Sequence, residues 1–210
     1  SAFYGCVSLE GITIPDTVQT IGSSAFYGCI ILEKAVLGED SQLTSIGDSA
    51  FINCALLTDF VIPEGVTTIG NSAFRGCVSI STIAIPAGVT SIGTSAFREC
   101  ASLKSVTFGE GSLLTSINSY TFNGCIELAE IAIPDGVTSI SNDSFKGCIK
   151  LEKIVFGESS QLSTIADSVF SGCVSLSKID IPAGVVSIGG SAFYGCASLT
   201  SLTLGSGLTT

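Results

Sequence analysis

Phe51-Ile52-Asn53-Cys54-Ala55-Leu56-Leu57-Thr58-Asp59-Phe60-Val61-Ile62-Pro63-Glu64-Gly65-Val66-Thr67-Thr68-Ile69-Gly70-Asn71-Ser72 is one unit of a pattern that runs through the whole chain. Its leading Phe recurs as Phe3, Phe26, Phe51, Phe74, Phe97, Phe122, Phe145, Phe170 and Phe193, at intervals of 23 or 25 residues. A Cys stands three residues after each Phe, from Cys6 to Cys196, and this column holds all nine cysteines. Three residues further comes Leu or, once, Ile80. Repetition at such a period is the mark of a solenoid, in which each unit buries its apolar edge only against its neighbours.

Within the unit, Phe60 and Ile62 lie two apart, so at strand period they share one face and Val61 points the other way. That pair is apolar in all nine units, from Ile12/Ile14 to Leu202/Leu204. Pro63 ends the strand because it has no N–H for the next rung. Every unit runs in the same direction, so these strands are predicted to form a main parallel sheet on one face. Val66 to Ile69 predicts a second, shorter strand on the opposite wall. Ser-Ala-Phe-x-Gly-Cys then turns the corner, as a 3₁₀ or irregular turn. Gly fills the position two after Phe in seven of the nine units, with Asn53 and Glu99 as exceptions. That preference predicts a backbone at positive φ, where Glu99 would be out of place.

The 25-residue units differ by one two-residue insertion, at Glu39-Asp40-Ser41-Gln42, Glu110-Gly111-Ser112-Leu113 and Glu158-Ser159-Ser160-Gln161. There Gly38, Gly109 and Gly157 take the place of Pro15, Pro63, Pro86, Pro134 and Pro182. Insertions at one phase of a repeat map to one edge of the solid. The expected fold is therefore an all-β-dominated solenoid of about nine coils, with aligned Phe, Cys and aliphatic side chains inside.

The string I-P-x-x-V-x-x-I-G-x-x-A-F-x-x-C-x-x-L, as in Ile62-Pro63, Val66, Ile69-Gly70, Ala73-Phe74, Cys77 and Ile80, resembles the BspA-like leucine-rich repeat. The resemblance covers the whole chain. Tyr120-Thr121 and Asp143-Ser144, in place of Ser-Ala, are its local departures. It implies a surface-exposed or secreted protein that serves adhesion or binding, and it supplies no universal binding residues.

Composition narrows the function. Eight Lys and Arg against eighteen Asp and Glu give a net charge of −10, which opposes nucleic acid and anionic membrane surfaces. No apolar run approaches the ~18 residues of a membrane span. The chain has no His, hence neither the commonest general base nor that metal ligand. It also shows no nucleophile elbow and no phosphate-binding glycine loop. An enzyme, a metal site and a bound cofactor are therefore not expected. Cysteines 23 or 25 residues apart match no zinc pattern and read as small buried thiols. The carboxylates of Glu39, Asp40, Glu110 and Glu158 lie on coils two or three apart and are not expected to converge on calcium. Asn142-Asp143-Ser144 is the single glycosylation sequon, of consequence only in a eukaryotic secretory pathway.

Two surfaces are candidates for a partner. The first is the outer face of the main sheet, made of Thr13, Val36, Val61, Ala84, Thr107, Ala132, Val155, Asp180 and Thr203, with Lys34, Asp59, Glu130, Lys153 and Lys178 beside them. The second is a strip one residue after the core Phe: Tyr4, Tyr27, Arg75, Arg98 and Tyr194, since Tyr and Arg favour interfaces. Residues 1–210 read as one leucine-rich-repeat domain that opens and closes in mid-repeat without a cap. It is expected to belong to a longer array or to stack end to end on another copy. The first functional reading is an extracellular or cell-surface module that binds protein or glycan through the sheet face. The alternative is a structural repeat protein that forms filaments.

Overall fold

A computed structural model describes residues 1–209. Among them there is no helix; the chain winds through about eight turns of a β-solenoid between Phe3 and Phe193. The nine Phe rings form one stack along the axis. Successive centroids are 5.0 to 5.7 Å apart, and the interplanar angles stay between 2° and 24°. Phe51 through Phe170 are completely buried.

The main wall holds the parallel strands Gly11–Ile14, Lys34–Leu37, Thr82–Ile85, Ser105–Phe108, Glu130–Ile133, Lys153–Phe156, Lys178–Asp180 and Ser201–Thr203. Their register is unshifted, with Ile14 opposite Leu37 and Ile133 opposite Phe156. The inward residues of the central strands, such as Ile83, Val106 and Ile131, are buried. This wall is not one sheet, however. It divides into a two-stranded, a four-stranded and a two-stranded piece. At the first gap only the bridge between Lys34 and Asp59 remains. That coil carries Phe60 where the others carry Ile, Val, Ala or Leu, and its ring packs beside the stacked pair Phe51 and Phe74, at 5.0 and 5.1 Å from them and tilted by 58° and 57°. The widest side chain of the inner row thus coincides with the first break in the ladder, next to the smallest, Ala35, in the preceding coil.

The second wall is a ladder of two-residue strands such as Ser45–Ile46, Thr68–Ile69 and Ser91–Ile92. From Ile46 on, and with Ile117 as the exception, the N–H after each Ile of this wall donates to the carbonyl of the Ile one coil back, as from Gly70 to Ile46 and from Ser141 to Ile117 (both 2.8 Å). Threonine hydroxyls reinforce the wall; Oγ1 of Thr67 and Thr90 donate to the carbonyls of Thr44 and Thr67 at 3.3 and 3.2 Å. The ladder is interrupted once, between Ser91–Ile92 and Ser116–Ile117. At that place the side-chain amide of Asn118 donates to the Ile92 carbonyl at 2.7 Å, in the role a backbone N–H plays elsewhere.

The corner at Ser-Ala-Phe-x-Gly-Cys is an irregular turn with its own hydrogen-bond system. Alternate N–H groups donate to the next coil: Ser49 to Asn71, Phe51 to Ala73 and Asn53 to Arg75, at 2.7 to 2.8 Å. The intervening ones close four-residue turns within the coil, as Ile52 does to Ser49 at 3.3 Å. This alternation needs left-handed residues. The position two after Phe has φ between 58° and 74° in all nine coils, and Glu99 conforms at 62°. The position two before Phe is also left-handed, at 53° to 59° from Ser24 to Ser191, although Ser, Tyr120 and Asp143 fill it and never Gly.

Each thiol from Cys29 to Cys196 donates to the carbonyl of the Phe one coil back, at 3.1 to 3.2 Å. That same carbonyl already accepts the N–H of the Cys in its own coil. All nine cysteines are free. Burial pushes the thiols of Cys54, Cys100 and Cys148 up to about 12 and raises those of Cys77, Cys125 and Cys173 as well.

Candidate functional site

The strand period places the outward column where the alternation predicts it. Thr13, Val36, Val61, Ala84, Thr107, Ala132, Val155, Asp180 and Thr203 are all exposed, and Val61 most of all the valines, at 78%. Lys34, Asp59, Glu130, Lys153 and Lys178 stand beside them, also exposed. Strand register sets Lys34 opposite Asp59 and Glu130 opposite Lys153, so unlike charges neighbour each other along the face. Lys178 Nζ lies 2.9 Å from a carboxylate oxygen of Asp180, and hydrogen bonds from Thr203 and Lys178 hold the Asp180 carboxyl below its ordinary value.

These residues do not contribute equally to a concave site. Thr107, Glu130, Ala132, Lys153 and Val155 line an open groove of about 660 Å³ over the central strands. Its floor is Ala132 and Val155. Ser105, Thr107, Glu130 and Lys153 supply donors and acceptors, and the rim is formed by Gly109, Gly111 and Ser112 with Asp135 and Gly136. A second hollow of about 510 Å³ continues it past Lys153 and Val155 to Lys178 and Asp180. Thr13, Lys34, Val36, Asp59, Val61, Ala84 and Thr203 share the face but lie outside this depression.

The rim was not anticipated. It comes from the insertion loop after Phe108, whose Ser112 N–H closes a turn onto Gly109 at 3.1 Å while Leu113 N–H bonds back to Ala87 at 3.0 Å. Gly109 passes so close to Ala87 of the preceding coil that a Cβ would lie 2.5 Å from the Ala87 nitrogen. The exchange of Pro for Gly in the 25-residue units was the available signal.

The Tyr and Arg strip separates into three places. Tyr4 and Tyr27 stack at 4.8 Å, with their planes 6° apart. Arg75 and Arg98 are tied together by Glu99, at 3.4 and 3.1 Å, and the Arg98 guanidinium lies 5.6 Å from the centre of the Tyr120 ring. Tyr194 is 74% exposed and seven coils from Tyr27. Exposed pairs of this kind are weak in water, so the central arginines are positioned by neighbours and only partly neutralised.

Glu39 with Asp40, Glu110, and Glu158 are exposed on three separate coils, and among the described residues no three Cys, Asp or Glu side chains gather as a metal would require. Ser144 of the sequon is fully buried.

The repeat described by this geometry is matched by the family model of the BspA type leucine rich repeat region, six copies of which cover residues 1–113 and 115–210. The chain belongs to this family. Solved leucine-rich-repeat proteins share the fold. One from Bacteroides ovatus is 29% identical with a TM-score of 0.71, over 99% of this chain and 64% of that one. One from Treponema pallidum, named in its description T. pallidum Leucine Rich Repeat protein, is 31% identical with a TM-score of 0.58, over 83% and 68%. A third, described as a leucine rich cell surface protein from Faecalibacterium prausnitzii, is 26% identical with a TM-score of 0.51, over 96% and 61%. The chain thus spans roughly two thirds of the length of these leucine-rich-repeat proteins or less. No curated protein matches it. No helix among the described residues is long and apolar enough to cross a membrane.

Proposed function

We propose that this BspA-type repeat domain is a non-catalytic recognition module that holds a protein or glycan against the outer face of its main sheet, at the cell surface or in the extracellular space. The observation that supports this reading is the groove over Thr107, Glu130, Ala132, Lys153 and Val155, rimmed by an insertion loop that the 23-residue coils lack. It is open and shallow, with a small apolar floor and hydroxyl, carboxylate and ammonium groups along the sides. An extended ligand that exchanges hydrogen bonds along its length fits such a surface better than a compact one does. The description of the Faecalibacterium relative as a cell surface protein supports the location.

The test is binding of the chain to arrayed glycans and to a panel of extracellular-matrix proteins, repeated with Ala132→Arg and Val155→Arg. Both side chains are exposed, so the folded state is retained, as circular dichroism would verify. A hit whose affinity falls at least tenfold in both variants supports the groove. Binding unchanged by either substitution, or no binding across both panels, removes the reading.

A further inference from the structure

The two edges that bound the main sheet differ in chemistry. From the end of each main strand, through the second wall, to the position two before Phe, the chain carries ten carboxylates and not one Lys or Arg. They include Asp16, Glu39, Glu64, Glu110, Asp135 and Glu158 in the turns that leave the sheet. The remaining eight carboxylates and all eight basic side chains lie in the other half of each coil, where they cancel in number, with Lys146 reaching back to Asp143 at 2.9 Å. The net charge of −10 therefore belongs to one side of the solenoid.

On the opposite edge, the residue after each Cys is Val, Ile or Ala in every coil and points outward. Val7, Ile30, Val78, Ile126, Ile149 and Val174 expose 39% to 53% of their surface. The position beside this ridge is Ser, Ile31 or Leu56, apart from Glu127 and Lys150, which pair at 2.8 Å across adjacent coils. An apolar ridge with no net charge thus runs the length of the molecule, and the sheet stands between it and the acidic edge. Contiguous apolar surface of this kind marks a contact site.

We infer that this ridge is a lateral interface with a second copy of the chain. Two properties single out that occupant. Edge-to-edge contact leaves both acidic sides facing outward, farther apart than the ~8–10 Å over which salt screens charge, so the −10 on each copy does not oppose it. The ridge also repeats at the coil spacing, 5.0 to 5.7 Å between successive rings. Only a partner with the same rise can set its own side chains into the gaps along the whole length, as ridges fit grooves in packed helices.

Sedimentation and light scattering of the chain over a hundredfold concentration range test this, with the double variant Ile126→Glu/Ile149→Glu and the sheet-face variant Val61→Glu. The unmodified chain is expected to dimerise, the ridge variant to raise the dimer dissociation constant at least tenfold, and Val61→Glu to leave it unchanged. Circular dichroism establishes that both variants are folded. A monomer at every concentration overturns the inference. So does association that the ridge variant leaves intact, which is the outcome expected of end-to-end stacking. The ridge and the groove are separate surfaces, so loss of ligand binding in Val155→Arg and loss of dimer in the ridge variant report on different proposals.

Discussion

The thiol of Cys54 donates to the carbonyl of Phe26, one coil back, at 3.1 Å. The bond occupies a second lone pair on an oxygen already engaged by the Cys29 N–H, so the column of cysteines satisfies polar groups that an Ala column would leave half paired. Burial of the column also keeps the thiols protonated, and two consequences can be measured.

In the folded state, alkylation at pH 8 is expected to modify Cys6, which is exposed, and to spare Cys54, Cys77, Cys100, Cys125 and Cys148 until denaturant is added. Mass spectrometry after brief iodoacetamide treatment checks it. Rapid labelling of any of those five without unfolding would contradict the column.

The same thiols set an alkaline limit on stability. Their folded pKa lies above the unfolded value near 9.0, so between about pH 9 and pH 12 the unfolded chain holds fewer protons than the folded one and folding weakens. Each buried thiol contributes a slope of about 1.4 kcal/mol per pH unit in that window and nothing below it. Urea midpoints are expected to be flat in this respect up to pH 8 and to fall steeply from pH 9 upward. Cys100→Ala is expected to make the fall shallower while lowering the plateau.

Phe74 stacks between Phe51 and Phe97 at 5.2 and 5.4 Å with no exposure, so Phe74→Ala is expected to cost about 3–5 kcal/mol in urea unfolding. Phe3, 37% exposed and stacked on one side only, is expected to cost clearly less. Equal losses would mean that the stack is not a shared core.

Ser72 holds φ at 54°, a conformation that costs a residue with a side chain about 1–2 kcal/mol. Ser72→Gly is expected to raise the unfolding free energy by about 1 kcal/mol, and Ser72→Val to lower it. A destabilised glycine variant would show that the serine side chain does more there than fill space.

Thr121 and Ser144 occupy the same buried column with opposite consequences. Thr121 Oγ1 donates to the Asn118 carbonyl at 2.7 Å, while Ser144 Oγ is buried without a partner. Ser144→Ala is expected to stabilise the chain by about 1 kcal/mol, and Thr121→Ala to destabilise it by a similar amount in thermal unfolding.

Much of this was legible in the repeat. Side-chain alternation over Phe60, Val61 and Ile62 located the inward and outward rows. The preference for Gly two after Phe located a left-handed corner that even Glu99 obeys. The left-handed Ser column was not legible, because Ser carries no signature of positive φ and the constraint comes from hydrogen bonds to the next coil. The gaps in the two walls were equally hidden. Phe60 reads as one more apolar residue and Asn118 as one more polar one; their effects depend on what the neighbouring coil places against them. Of the candidate surfaces, the sheet face followed from periodicity alone. Its groove depended on how a two-residue insertion folds. The strip of Tyr4, Tyr27, Arg75, Arg98 and Tyr194 shares a phase in the sequence, but distance along the axis divides it.

The insertions leave the register of the strands before them untouched, since Ile14 still faces Leu37 and Ile133 still faces Phe156 where a short coil meets a long one. Extra chain at this point is accommodated by bulging sideways, and the spiral above and below continues at the same pitch. Glu39–Asp40, Glu110–Gly111 and Glu158–Ser159 are therefore natural splice points. Foreign segments grafted there would be displayed at fixed heights along the rim, and the scaffold would carry them without needing a new core.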